Sequence, residues 1–191
     1  YKARNLKSNI LRKLGRAGEA KAFTLETIQF DAMDALSRYE LSLAHRLTGE
    51  EPLACAELAE LYHVLGSGEK NYIALAVDYA DCGDYEQAVE ILEYAVLVNE
   101  YPMLYYYLAY YSYQAGREFH SWLKKANAAD PRYCFPNTIY DYTVLVFAMK
   151  HNAKDDKALY YLGNLLYDKK RAGEAVKVWE KSIKLNGGYA T

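Results

Sequence analysis

The sequence predicts an all-α fold: a right-handed superhelical solenoid of antiparallel helix pairs, about eleven helices in all. Three observations carry this. Tyr72, Leu75, Ala76, Tyr79, Ala88, Leu92 and Ala95 recur, with identical spacing, as Leu159, Leu162, Gly163, Leu166, Ala175, Trp179 and Ser182. Self-similarity at a fixed period marks stacked repeats. Within each copy the large residues follow a 3.6-residue period, which places them on one helix face. Only four Pro and eleven Gly interrupt 191 residues, and this suits long helices better than a many-turned sheet.

The elements follow in order. A first unit covers 1–31, with Leu11, Ala20 and the turn Leu14-Gly15-Arg16-Ala17-Gly18. A second helix pair covers 32–68, broken at Thr48-Gly49-Glu50-Glu51-Pro52. The unit at 69–101 carries the full pattern and turns at Gly83-Asp84. The next, 102–131, opens on Pro102, where a missing N–H costs nothing at a helix start. It continues through Tyr105, Leu108 and Ala109, closes at Ala126 and Pro131, and is slightly short around Gly116-Arg117. Residues 132–155 have room for one good helix, 138–151, with Asn137 as its expected N-cap and an extended loop before it. The last unit is 156–189. Small residues (Ala76, Ala88, Gly163, Ala175) are expected where two helices cross closely, because a larger side chain would hold them apart.

This pattern resembles the tetratricopeptide repeat (TPR), and the resemblance covers nearly the whole chain. The stretches Leu11-Arg12-Lys13-Leu14-Gly15-Arg16, Cys134-Phe135-Pro136 and Tyr160 to Arg171 are similar to a group of bacterial proteins. In that group a TPR tail follows a β-rich N-terminal domain resembling carbohydrate-handling folds. The resemblance implies a bacterial interaction tail with no catalytic residue carried over. The chain begins at Tyr1 rather than Met, so it is expected to be part of a larger protein.

Composition narrows the function. A net charge of −2 offers no basic excess for nucleic acid. No apolar run approaches the length of a membrane span. Cys55, Cys82 and Cys134 form no CxxC pair, so reduced, buried thiols and a cytoplasmic location are expected. No phosphate loop, dinucleotide fingerprint, HExxH or GxSxG occurs. His45, His63, His120 and His151 lack partners at ligand spacing. Glu50-Glu51 falls in a turn, and Asp155-Asp156 precedes a helix, where carboxylates complement the dipole. The reading is therefore no enzyme, no cofactor and no metal.

The tyrosines point to binding. Residues 105–113 read Tyr-Tyr-Tyr-Leu-Ala-Tyr-Tyr-Ser-Tyr. Tyr106, Tyr110 and Tyr113 share the i, i+4, i+7 face opposite the packing residues. Tyr160, Asn164 and Tyr167 stand at equivalent positions in the last unit, Val77 and Ala80 in the unit at 69, and Leu41 with His45 before that. The sequence thus predicts a tyrosine-lined concave groove with Asn164, and Asp168 beside it, at the floor. Tyr gives a broad apolar face with a hydrogen-bonding tip. The expected partner is a protein or peptide. Carbohydrate binding in a carbohydrate-active protein is the alternative, and self-association through an open end of the stack is a third expectation. Chaperone-type carboxylate recognition is disfavoured: Lys2, Asn5, Asn9 and Arg12 are polar, but the next repeat supplies Ser37 and Leu41, and Lys70 is followed by Ile73 and Val77 where polar groups would be needed.

Overall fold

The computed structural model describes residues 2–186. Tyr1 and the end of the last expected unit, 187–189, lie outside the described residues. The all-α, TPR-like class holds: the described residues form eleven helices and no strand. They are α1 (Lys2–Lys13), α2 (Ala17–Phe30), α3 (Ala35–Leu47), α4 (Glu51–Leu65), α5 (Glu69–Asp81), α6 (Tyr85–Val98), α7 (Pro102–Gln114), α8 (His120–Ala128), α9 (Ile139–His151), α10 (Asp156–Asp168) and α11 (Ala172–Leu185). They belong to two compact units, Tyr1–Gly68 and Glu69–Thr191.

The turns between paired helices set the register. Each closes on a residue in the left-handed region: Gly15, Gly49, Gly83 and Gly116, and then Lys170. Glycine suits that backbone because it has no Cβ to clash. The four glycines are 34, 34 and 33 residues apart, and Lys170 follows 54 residues later. The long interval contains α9 and the loop before it.

In the first unit, α1 packs on α2 and α3, and α3 packs on α4. Its interior is unusually polar. Asn5 donates to Asp34 at 2.8 Å, Ser37 donates to Asn5 at 2.8 Å, and Asn9 donates to Glu40 at 3.0 Å. Arg12 grips both Glu40 oxygens at 2.7 and 3.1 Å. Glu40 is 1% exposed, so this charge is tolerable only because three donors meet it. The polar residues that a carboxylate clamp would have used are thus spent inside the unit. Other cations of the basic N-terminal stretch are engaged too: Arg4 and Lys7 lie over the Phe23 ring, and Arg16 pairs with Glu19.

In the second unit, α5 pairs with α6, α7 with α8, and α10 with α11, while α9 packs alone against α7 and α10. Its N-cap is Thr138, not Asn137. Thr138 and Asp141 form a reciprocal capping box, which satisfies two helix-start donors at once. Asp141 also accepts the backbone N–H of Asn137 at 2.9 Å and the Tyr107 hydroxyl at 2.9 Å, so one carboxylate ties α9 to α7. Gly163 is where the sequence places it, at a close crossing: a Cβ there would lie 2.2 Å from Trp179 Nε1. All three cysteines are free, but only Cys134 is buried, and Cys55 is exposed. Burial pushes the Cys134 thiol up to about 12. No described helix is long and apolar enough to cross a membrane.

Candidate functional site

The face of each first helix expected to line a groove has another use. In α1 the residues five, nine and twelve places into the repeat are Asn5, Asn9 and Arg12, and they meet Asp34 and Glu40 of the following first helix, α3. In α7 the same place holds Tyr106, which donates to Asp155 of the next paired first helix, α10, at 3.0 Å. The Tyr106 ring also meets Tyr161 edge-on at 6.1 Å. In α5 the set is Ile73, Val77 and Ala80; α5 packs on α7, and Val77 and Ala80 are each only 9% exposed. This i, i+4, i+7 face is therefore the seam between successive repeats.

The expected groove changes accordingly. Tyr106 is fully buried and is removed from the binding set. Burial, followed by the nearby Asp155 carboxylate, holds its hydroxyl well above the ordinary range, so it stays a donor. Tyr110 is half-buried against Phe147 of α9, ring centroids 5.3 Å apart. Tyr113 is 46% exposed but leans on Phe119, Phe147 and His151. The inserted α9 therefore covers much of the α7 face. Leu41 is buried, and His45 is bound to Glu50. With Gly49 and Gly83 fixing the register, the equivalents of Val77 and Ala80 in α3 are Leu43 and Arg46, rather than Leu41 and His45.

Tyr160, Asn164 and Tyr167 are brought together. They line an open pocket of about 380 Å³ with Phe135, Asp168, Lys170 and Trp179. Tyr167 is 60% and Phe135 65% exposed. The Trp179 indole N–H is shared between the Tyr160 carbonyl, at 3.3 Å, and Asn164 Oδ1, at 3.2 Å. That bond fixes which way the Asn164 amide points, and leaves its NH2 group as a donor for an acceptor on a ligand. Tyr167 and Trp179 tilt against each other with centroids 5.7 Å apart. At the rim, Asp168 pairs with Lys169 at 2.8 Å, and this pairing holds its carboxyl below the usual range. Asn164 and Asp168, which the sequence places side by side, both line this pocket. Phe135 and Trp179 were not readable from the sequence as lining residues: Phe135 arrives on an irregular loop, and Trp179 was legible only as a packing residue.

The pocket combines aromatic walls with one side-chain amide, one carboxylate (Asp168) and one ammonium (Lys170). Among the described residues, no group of three or more His, Cys, Asp or Glu side chains is placed to hold a metal ion. The arrangement is equipped to hold a ligand by contact and hydrogen bonding.

No family model and no curated protein matches the chain. Several solved structures are similar. YrrB, described as a TPR protein with an unusual peptide-binding site, is 14% identical; the match covers 95% of this chain and 84% of that one at a TM-score of 0.32. MamA from Desulfovibrio magneticus RS-1 is 15% identical, with 100% and 97% covered and a TM-score of 0.34. PilF of Pseudomonas aeruginosa is 15% identical, with 98% and 77% covered and a TM-score of 0.38.

Proposed function

We propose that this chain is a protein-interaction module that holds its partner at the tyrosine face of α10. One observation carries the reading. Of the repeat positions occupied by Tyr160, Asn164 and Tyr167, those held by Asn5 and Asn9 in α1, Val77 and Ala80 in α5 and Tyr106 in α7 are buried. On α10 the same positions line an open pocket, and Tyr167 stands 60% exposed. Large rings of the kind that dominate binding energy at interfaces thus line the pocket, which supports the reading.

The test is selection from a displayed peptide library against the full chain. Tyr160→Ala/Tyr167→Ala serves as the counter-target, and circular dichroism confirms that it stays folded. Binders to the wild type should fail on the double variant. A panel that binds both proteins equally would sink the reading. A glycan array probed with the same two proteins separates it from the carbohydrate alternative: sugar binding that depends on Tyr167, without peptide binding, would favour that alternative.

A further inference from the structure

Asp34, Asp141 and Asp155 each hold the start of a helix, but their oxygens are satisfied to different degrees. Asp34, the N-cap of α3, accepts the Leu36 N–H at 3.2 Å on Oδ1, and accepts from Asn5 at 2.8 Å and Ser37 at 3.0 Å on Oδ2. Asp141, in the capping box of α9, accepts from Tyr107 on Oδ1, and from Thr138 and the Asn137 N–H on Oδ2. Both have donors on each oxygen. Asp155, the N-cap of α10, does not. Its Oδ1 accepts from Tyr106 at 3.0 Å, from Asn127 at 2.9 Å and from the Ala158 N–H at 2.9 Å. Its Oδ2 is buried and meets no donor among the described residues.

This arrangement suits a carboxylic acid better than a carboxylate. Asp155 is 1% exposed. An ionised carboxylate spreads its charge over both oxygens, and a buried oxygen without a donor carries the full cost of desolvation. A proton on Oδ2 removes the charge and leaves the bonds to Oδ1 in place. The surroundings push the same way. Asn127 also donates to Asp156 Oδ1 at 2.9 Å, which brings a second buried carboxylate beside the first, and neighbouring like charges disfavour double ionisation. Burial first, and Asp156 with it, raise the Asp155 carboxyl above its ordinary range, against the bonds from Ala158, Asn127 and Tyr106. The other charged or titratable groups at this junction do not reverse that balance. Tyr106 of α7 stays a donor, and the Cys134 thiol beside Tyr106 and Tyr161 is pushed up to about 12 by burial. Asp141 of α9 is satisfied on both oxygens, Lys157 donates its ammonium to the Ala129 carbonyl, and Lys154 is exposed. From α8 and α11 come Asn127 and Ser182, which do not titrate.

We propose that Asp155 takes up a proton in the folded chain and makes the junction of α7, α8 and α10 a pH-sensitive latch that tightens as the pH falls. In the acid form one neutral group ties Tyr106 of α7 and Asn127 of α8 to the first turn of α10. As the pH rises the proton leaves to solvent, charge returns to Oδ2, and the start of α10 loosens. This helix carries Tyr160, Asn164 and Tyr167, so the latch governs the footing of the pocket whatever the pocket holds. A carboxyl whose folded value lies above its unfolded one adds stability that is complete below the unfolded value and is lost as the pH climbs through the folded one. Glu50 in the first unit runs the other way.

Asp155→Asn keeps a carbonyl oxygen for the same donors and cannot titrate. Thermal unfolding of the full chain and of this variant, followed by circular dichroism between about pH 8 and about pH 4.5, gives a difference in midpoint from which the other carboxylates cancel. The wild type should gain on the variant as the pH falls. Hydrogen exchange at the Ala158 amide, corrected for its intrinsic rate, should slow in the wild type alone, by about tenfold for each pH unit by which the carboxyl is raised. A wild type that loses ground to the variant as the pH falls carries an ordinary ionised cap, and overturns the latch. A difference that does not change with pH overturns it too. If the variant does not fold, NMR titration of the Asp155 carboxyl carbon in the wild type decides alone: a midpoint above the usual value of about 4 supports the latch, and one at or below it overturns the latch. Tyr106→Phe removes one donor from Oδ1 and should move that midpoint further up. An unmoved midpoint removes α7 from the latch and overturns the three-helix junction.

Discussion

Gly163→Ala adds one methyl group where α10 crosses α11. Its carbon would lie 2.2 Å from Trp179 Nε1 and 2.3 Å from Cδ1, short of an ordinary heavy-atom contact by about 1.3 Å. A fused indole cannot yield as the tip of a lysine would, so the ring or the helix must move. Overpacking of this kind costs about 1–3 kcal/mol. Moving the indole also loses its hydrogen bonds to Tyr160 and Asn164, each worth about 1 kcal/mol. Against this stands the helix-forming advantage of alanine, about 1 kcal/mol in a helix interior. The net expectation is a loss of about 2–4 kcal/mol, read by urea unfolding followed by circular dichroism. The indole N–H resonance of Trp179 should shift as its acceptors are lost. Gly173→Ala in α11 is the control, because nothing lies within 4 Å of its added carbon; it should gain about 0.5 kcal/mol. If Gly163→Ala proves as stable as the wild type with an unmoved indole resonance, the close-crossing argument fails.

Three further outcomes follow from single features. Lys170 holds a φ of 61° where the other turns use glycine. Lys170→Gly should therefore stabilise the second unit by about 0.5–1 kcal/mol in thermal unfolding, while weakening binding at the pocket that Lys170 lines. Glu40→Ala strands the nearly buried Arg12 guanidinium and should cost about 3–5 kcal/mol, whereas Arg12→Met with Glu40→Leu should be close to neutral; equal losses in urea would contradict the buried-pair account. Glu50 is held down at about 2 by hydrogen bonds from Lys21, Thr48 and His45. Its folded value lies below its unfolded one, so its contribution is complete above about pH 4.5 and fades as the pH falls toward 2. Glu50→Gln should flatten acid unfolding of the first unit in that window and leave the rest of the profile unchanged.

The helices and their pairing were legible because packing leaves a periodic trace. Ala88, Ala175 and Gly163 are small for a reason that acts locally, and their spacing survives where neighbouring residues vary. The caps were partly legible. Asp155 could be placed before a helix, but Thr138 won over Asn137 because Asp141 lies three residues on and completes a capping box, a reciprocal contact that a single cap residue does not reveal. The faces were harder. Periodicity says that Tyr106, Tyr110 and Tyr113 share one side of α7, but not what that side meets. The answer lies in residues distant in sequence: Asp155 and Tyr161 for Tyr106, Phe147 for the other two.

The same geometry explains why one three-residue pattern has opposite meanings at two places. A tyrosine at the fifth repeat position is a hydrogen-bond donor with a large apolar body. When another first helix follows, that donor must find an acceptor once water is excluded, and the N-cap aspartate of the incoming helix meets the need while capping its own N–H group. The apolar body is then sealed and contributes to stability, as at Tyr106. On α10 the equivalent Tyr160 lines an open pocket beside Tyr167, which is 60% exposed. In a repeat protein, then, the residues of the binding site need not differ in kind from those of the core. They differ in how much of the described chain packs over them, which is why Tyr160 is best understood beside Tyr106 and Asn5, its equivalents elsewhere in the chain.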